Sequence, residues 1–193
     1  MQNKAKINIW KEVVDKLIEN NFTIATMESC TGGKIACEIT NIPGASEILK
    51  ESFITYCNDA KIKFGVPREV IEKYTVYSSE TAVEMCKAAK KQANSLYGIG
   101  VTGELVRIDP NDQVDKLNHV WFAIVNEKDE CDVKEINVPD GKRKEQKEYI
   151  SNQIAKELLK ILKEKWNTRK YSANTKHEEM NKKQYKYKIK NKK

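Results

Sequence analysis

From Glu28 to Gly33 the chain reads Glu-Ser-Cys-Thr-Gly-Gly, a hydroxyl set between an apolar run and a glycine-opened segment. A serine is a weak nucleophile until a neighbouring base removes its proton. The two histidines, His119 and His177, lie far from it in sequence. The base must then come from another residue type, and the cluster Tyr56-Cys57-Asn58-Asp59-Ala60-Lys61 offers Tyr56 and Lys61. An ordinary lysine keeps its proton up to about pH 10.4. Making Lys61 a useful base near neutrality takes a shift of roughly three units, about 4 kcal/mol of disfavoured charge, from burial or a nearby cation. A carboxylate close to it would act in the opposite direction, so Glu28 is expected to bind backbone or substrate instead. Read alone, Ser29 is more often a helix cap than a nucleophile. Cys30, with no histidine to activate it, reads as a buried side chain. Asn58 is expected to fix the turn that presents Tyr56 and Lys61. Arg143 and Lys147, one helical turn apart, read either as a solvated face or as contacts to an anion.

The elements that must hold these groups follow from periodicity. Residues 22–28 alternate as a short buried strand, which places Ser29 at its carboxyl end, where open α/β sheets keep their ligands. The N–H groups of Thr31, Gly32 and Gly33 then open a helix reaching Thr40 and offer a place for an oxyanion or phosphate. Ile9, Trp10, Val13, Val14, Leu17 and Ile18 recur at helical spacing and predict a first helix ending near Asn20. After the break at Ile42-Pro43-Gly44, a short helix leads to a second strand over 52–56. Helices over 58–64 and 67–74 precede a longer one, capped by Ser78 or Ser79 and running to about residue 96. A glycine-rich third strand over 97–101 is expected to be packed closely. A polar stretch over 103–116 separates it from two strands, 120–125 and 133–138, that read as a hairpin. A closing helix over 143–166 carries its apolar stripe on Ile150, Ile154, Leu158, Leu159, Ile161 and Leu162. Helices alternating with strands imply an α/β fold, a three-layer α/β/α sandwich on a mixed, mostly parallel sheet of about five strands.

The net charge of +7 belongs to one end of the 193-residue chain. Residues 168–193 hold ten Lys or Arg against two Glu, which leaves 25 basic and 26 acidic residues in the rest. One domain over 1–166 followed by a basic, low-complexity and disordered tail over 167–193 is the expected organisation. Tyr185 and Tyr187 interleave with lysines there, so nucleic acid is a partner only through this tail. Five cysteines without a Cys-x-x-Cys spacing read as reduced thiols, and two distant histidines argue against a zinc site. No apolar stretch is long enough to span a membrane, and the polar first residues do not read as a signal peptide, so the expected location is cytoplasmic.

The two clusters resemble the carboxy-terminal domain of the competence/damage-inducible protein CinA, the family of nicotinamide-nucleotide amidases, and the resemblance runs over about 9–162. Glu28 to Gly33 and the Tyr-x-Asn-x-x-Lys pattern of Tyr56 to Lys61 carry it, with weaker agreement at Ile42 to Ser46, Ser78 and Val120 to Ala123. The resemblance implies the same sandwich architecture and a catalytic group of Ser29, Tyr56 and Lys61. The expected substrate-binding set is Glu28, Cys30, Thr31, Gly32, Gly33, Asn58, Thr102, Gly103 and Arg107, with no metal and no cofactor. The implied activity is hydrolysis of nicotinamide mononucleotide to nicotinate mononucleotide and ammonia, by a homo-oligomer, a dimer or higher. The sequence departs from the family pattern after the third strand, where a glycine- and proline-rich loop is replaced by Thr102-Gly103-Glu104-Leu105-Val106-Arg107-Ile108-Asp109-Pro110. Two other readings stay open on that ground: an amidase with another carboxamide substrate, and a non-catalytic nucleotide-binding or interaction module.

Overall fold

The computed structural model describes residues 8–105 and 119–164. Helix α1 (Ile9–Glu19) leads into β1 (Ile24–Glu28), followed by α2 (Lys34–Thr40), α3 (Ala45–Ile48) and β2 (Leu49–Ile54). Then come α4 (Asn58–Lys63), α5 (Arg68–Tyr74), α6 (Ser79–Gln92) and β3 (Tyr97–Gly103). The hairpin strands β4 (His119–Val125) and β5 (Cys131–Asn137) precede a last helix, α7, over 143–164. The five strands lie in the order β2-β1-β3-β4-β5. β1 pairs in parallel with β2 and β3, whereas β3–β4 and β4–β5 are antiparallel, so β4 alone runs against the other four. The expected tail falls outside the described residues.

Alternation along the strands divides the core in two. Ile24 on β1, Tyr97, Ile99 and Val101 on β3 and Val120, Phe122 and Ile124 on β4 face one side, where α1, α2, α3 and α7 cover them. Trp10 on α1 donates its indole N–H to Ser151 Oγ on α7 at 2.9 Å, tying the two outer helices of that layer. Ala25 and Met27 turn to the other side and meet Met85, Ala88 and Ala89 of α6. The sandwich is therefore a sheet with helices on both faces, and β1 is its central parallel strand.

Helix ends explain the differences from the predicted boundaries. Asn21 and Asn94 hold left-handed φ of 54° and 47°, and each sits just past a helix. Phe22 N–H donates to Leu17 O at 2.9 Å and Ser95 N–H to Lys90 O at 3.1 Å, the bond pattern that closes a helix over a left-handed residue. Thus α6 stops at Gln92 rather than near residue 96. β2 begins and ends earlier than predicted because its length is set by its partner. β1 stops at Glu28, paired with Ile54, and Thr55 and Tyr56 emerge beyond the ladder.

The close packing expected at the glycine-rich strand is the α6 contact. A Cβ at Gly100 would lie 2.3 Å from Ala82 O and 2.4 Å from Cys86 N, both on the helix backbone. Gly100→Ala should force α6 off the sheet and cost about 2 kcal/mol or more. A urea titration measures this, and an unchanged midpoint would mean that α6 shifts freely on β3.

Candidate functional site

Ser29 follows β1 directly, held on both flanks by its neighbours. Its N–H donates to Val101 O at 3.1 Å, and Thr55 N–H donates to Glu28 O at 2.8 Å, so each parallel ladder extends one residue past the strand end. The chain then turns sharply through Gly32 (φ 61°) and Gly33 (φ 91°), conformations that favour glycine, to enter α2. Side chains alternate on β1, and Glu28 shares the side of Ile24 and Thr26, the side on which α2 packs.

That parity decides what Glu28 does. Its carboxylate, 0% exposed, accepts from Gly33 N–H at 3.0 Å, Ile35 N–H at 3.2 Å and Ala36 N–H at 2.9 Å. These are opening N–H groups of α2 that have no intrahelical acceptor. The helix has no other side-chain cap, and a strand carboxylate takes that place. The expectation that Thr31, Gly32 and Gly33 all offer free donors is corrected accordingly: Gly33 N–H goes to Glu28, and Gly32 N–H donates to Ser29 O at 3.1 Å. Neither Cys30 N–H nor Thr31 N–H is bonded to a backbone carbonyl among the described residues, and Cys30 N–H lies against its own sulfur.

Lys61 reaches the same point from α4. It is 2% exposed, donates from Nζ to Thr55 O at 2.8 Å, and places Nζ 3.1 Å from Ser29 Oγ. Burial holds its pKa below the ordinary lysine range, opposed in part by the sulfurs of Cys30 and Cys57. Glu28 exerts no pull on it, being turned to α2. The Cys30 thiol is buried and pushed up to about 12, mainly by desolvation, which keeps it protonated at neutral pH. Of the hydroxyls nearby, Thr31 Oγ1 and Thr55 Oγ1 are buried without a partner among the described residues.

The other expected residues are placed differently. Tyr56 is 66% exposed and its hydroxyl has no partner among the described residues, so it does not join the Ser29–Lys61 contact in which it was expected; Lys61 touches Ser29 directly. Asn58 opens α4 as an exposed residue, and Cys57, not an Asn side chain, is the extended cap. Thr102 is buried and donates its hydroxyl to Val76 O at 2.5 Å, which draws it to the α6 side rather than to a ligand. At Gly103 a Cβ would fall 2.5 Å from His119 O, so glycine there serves the β3–β4 pairing. Arg107 lies outside the described residues. Arg143 Nη1 donates to Leu105 O at 2.9 Å and anchors the chain leaving β3. Lys147 Nζ instead stands over the Ser29–Gly33 turn, 3.0 Å from where a Gly32 side chain would begin. The Thr55 carbonyl, which orients Lys61, had no signal in the sequence because any residue type supplies it.

A buried serine–lysine pair at the carboxyl end of a central parallel strand is one half of the comparison; the other is a family model, the CinA C-terminal domain, which matches residues 6–166. The chain belongs to the CinA C-terminal domain family. A CinA-like protein of Fervidobacterium nodosum is 44% identical over 92 residues, 47% of this chain and 22% of its own length. A relative in Acetivibrio thermocellus is 47% identical over 88 residues, 45% of this chain and 21% of its own. The alignment thus spans about a fifth of either relative's length. A crystal structure of a CinA superfamily protein from Klebsiella pneumoniae shares the fold, with a TM-score of 0.73 and 19% identity over 81% of this chain and 96% of that one. Among the described residues no helix is long and apolar enough to cross a membrane.

In this CinA domain, Glu28→Ala should leave three N–H groups of α2 without their acceptor. The expected loss is about 2–4 kcal/mol by thermal or urea unfolding. A loss under 0.5 kcal/mol would show that the carboxylate does not hold α2 in place.

Proposed function

We propose that this domain is an amidohydrolase that deamidates nicotinamide mononucleotide to nicotinate mononucleotide and ammonia, with Ser29 as nucleophile and Lys61 as base. The observation that carries the reading is the 3.1 Å approach of a desolvated lysine to a serine hydroxyl with no carboxylate beside it. A neutral amine has one lone pair and two N–H groups. Nζ donates to both Thr55 O and Ser29 Oγ in the structure; once deprotonated it keeps the Thr55 bond and turns its lone pair to the Ser29 hydroxyl proton. Ser29 Oγ attacks the carboxamide carbon as its proton passes to Lys61 Nζ. The resulting oxyanion is assigned to the N–H groups of Cys30 and Thr31, the two donors of the turn not bonded to a backbone carbonyl among the described residues. Lys61 returns the proton to the leaving nitrogen, ammonia departs, and an acyl-serine remains. A water molecule, deprotonated by the same lysine, cleaves the ester to give the carboxylate and regenerate Ser29. Tyr56 follows Thr55 in the chain, and its exposed ring is assigned to the mouth of the site as a substrate contact.

The altered segment after Thr102 favours a second reading, an amidase of the same mechanism acting on another carboxamide. A panel of nicotinamide mononucleotide, nicotinamide and carboxamide dinucleotides, followed by ammonia release, separates the two. Turnover of the mononucleotide alone supports the first, and turnover of another member alone supports the second.

Ser29→Ala should abolish turnover with little change in unfolding temperature. Lys61→Arg should be as inactive as Lys61→Ala, because a guanidinium stays protonated near neutrality. The pH profile follows from the depressed lysine: activity should rise with pH as Lys61 loses its proton, with an apparent pKa below the ordinary lysine value. An active Lys61→Arg variant, or a rise centred at or above pH 10.5, would remove the lysine-base mechanism.

A further inference from the structure

Toward the opposite end of β3 from Ser29, two free cysteines meet across elements distant in sequence. Cys86 lies in the middle of α6 and is fully buried, whereas Cys131 opens the edge strand β5 and is exposed. Gly98 is what brings α6 this low: a Cβ there would fall 2.2 Å from Cys86 O and 3.0 Å from Val125 Cγ1. Gly98 pairs with Val125 on β4, and Val125 pairs with Cys131 on β5, so one row across the sheet runs from beneath Cys86 out to Cys131. Cys86 packs with Ala123 and Val125 in one small cluster. One turn further along α6, Lys90 Nζ donates to Asn126 O and to Asp129 Oδ1, each at 2.6 Å, which pins the helix to the β4–β5 turn. The two thiols meet there in hydrogen-bonding contact.

That contact makes the two sulfurs unequal. The Cys86 S–H has two acceptors in reach, Val83 O at 3.1 Å and the Cys131 sulfur. Donation to Cys131 holds that thiol below its ordinary range, with Lys87 adding to the effect against burial and the carboxylates of Glu84 and Asp129. Cys86, the donor and the buried member, is pushed up and keeps its proton. An exposed sulfur with thiolate character beside a protonated partner can meet an oxidant and then be closed into a disulfide.

We propose that Cys131 and Cys86 form a modification site, a dithiol oxidised by hydroperoxide to a disulfide that staples α6 to the edge strand. The Cys131 thiolate attacks the terminal oxygen of the hydroperoxide; the O–O bond breaks, the leaving oxygen takes a proton from solvent, and Cys131 becomes a sulfenic acid. The Cys86 sulfur then attacks the Cys131 sulfur, the S–O bond breaks, and the departing hydroxide takes the Cys86 proton and leaves as water. Two thiols give up two electrons and two protons, and one hydroperoxide becomes one alcohol, or a water in the case of hydrogen peroxide, and one water. Glu130, Asp132 and Glu164 line the cleft at Cys131, which favours a small neutral oxidant over a negatively charged disulfide such as oxidised glutathione.

The test treats the full, reduced chain with a few equivalents of hydrogen peroxide or, in parallel, of glutathione disulfide, and maps the thiols by mass spectrometry of a non-reduced digest. Peroxide should give a linked Cys86–Cys131 peptide pair, lighter by two hydrogens than the separate thiols, and raise the unfolding temperature by about 5 °C; dithiothreitol should reverse both. In Cys86→Ala the same treatment should leave a sulfenic acid at Cys131 that dimedone labels ahead of the exposed Cys37 and Cys57. Cys131→Ser should give no linked pair, and the mapping on the unsubstituted chain decides the pairing if Cys86→Ala does not fold. Labelling of Cys37 or Cys57 ahead of Cys131, a disulfide of any other pairing, a Cys86–Cys131 bond formed by glutathione disulfide but not by peroxide, or a linked chain that unfolds no higher than the reduced one overturns the inference.

Discussion

The site depends on where one buried negative charge goes. Glu28 is the last residue of the central strand and is fully enclosed, and a carboxylate there persists only if its oxygens are occupied. Three N–H groups of α2 occupy them. The result is at once mechanical and electrostatic. The first turn of α2 is fastened to the end of β1, which fixes the loop from Ser29 to Gly33, and the charge is drawn away from Lys61. Had the same carboxylate turned to the lysine, the two would form an ion pair and the lysine would hold its proton firmly.

The opposite arrangement at Lys61 depends on this one. Its amine is enclosed without a carboxylate, bonded to a carbonyl and a hydroxyl, so burial acts on it opposed only in part by the sulfurs of Cys30 and Cys57. Glu28 already fills the opening end of α2, so on the proposed mechanism the donors left for an oxyanion are those of the turn before it, Cys30 and Thr31. Positive φ at Gly32 and Gly33 is what lets the turn bend directly from the strand end into α2.

Much of this was legible in the sequence, and the gaps have physical causes. Strand parity placed Ser29 at the end of β1, and the 28–33 and 56–61 clusters named both members of the pair that the fold brings together. The elements were placed by their apolar periods, with errors at ends that a partner strand or an asparagine in the left-handed region decides, as at β2 and α6. Side-chain direction was less accessible. Whether Glu28 faces α2 or Lys61, whether Thr102 faces α6 or a ligand, and whether Gly103 serves a ligand or a strand pairing all depend on packing between segments distant in sequence. Backbone acceptors such as Thr55 O leave no trace in residue types at all.

The division of labour that follows is between a fixed chemical centre and a replaceable rim. The proposed nucleophile, base and oxyanion donors come from the ends of β1 and β2 and the segments that immediately follow, all within the parallel part of the sheet. The residue proposed to contact substrate, Tyr56, lies outside the ladder and away from that centre. On that proposal a change at Tyr56 alters which carboxamide fits without disturbing the serine–lysine contact, because no hydrogen bond joins its side chain to that pair among the described residues. On the proposed mechanism, reactivity would be lost by a change in the charge arrangement around Glu28 and Lys61, the two groups whose separation the fold enforces.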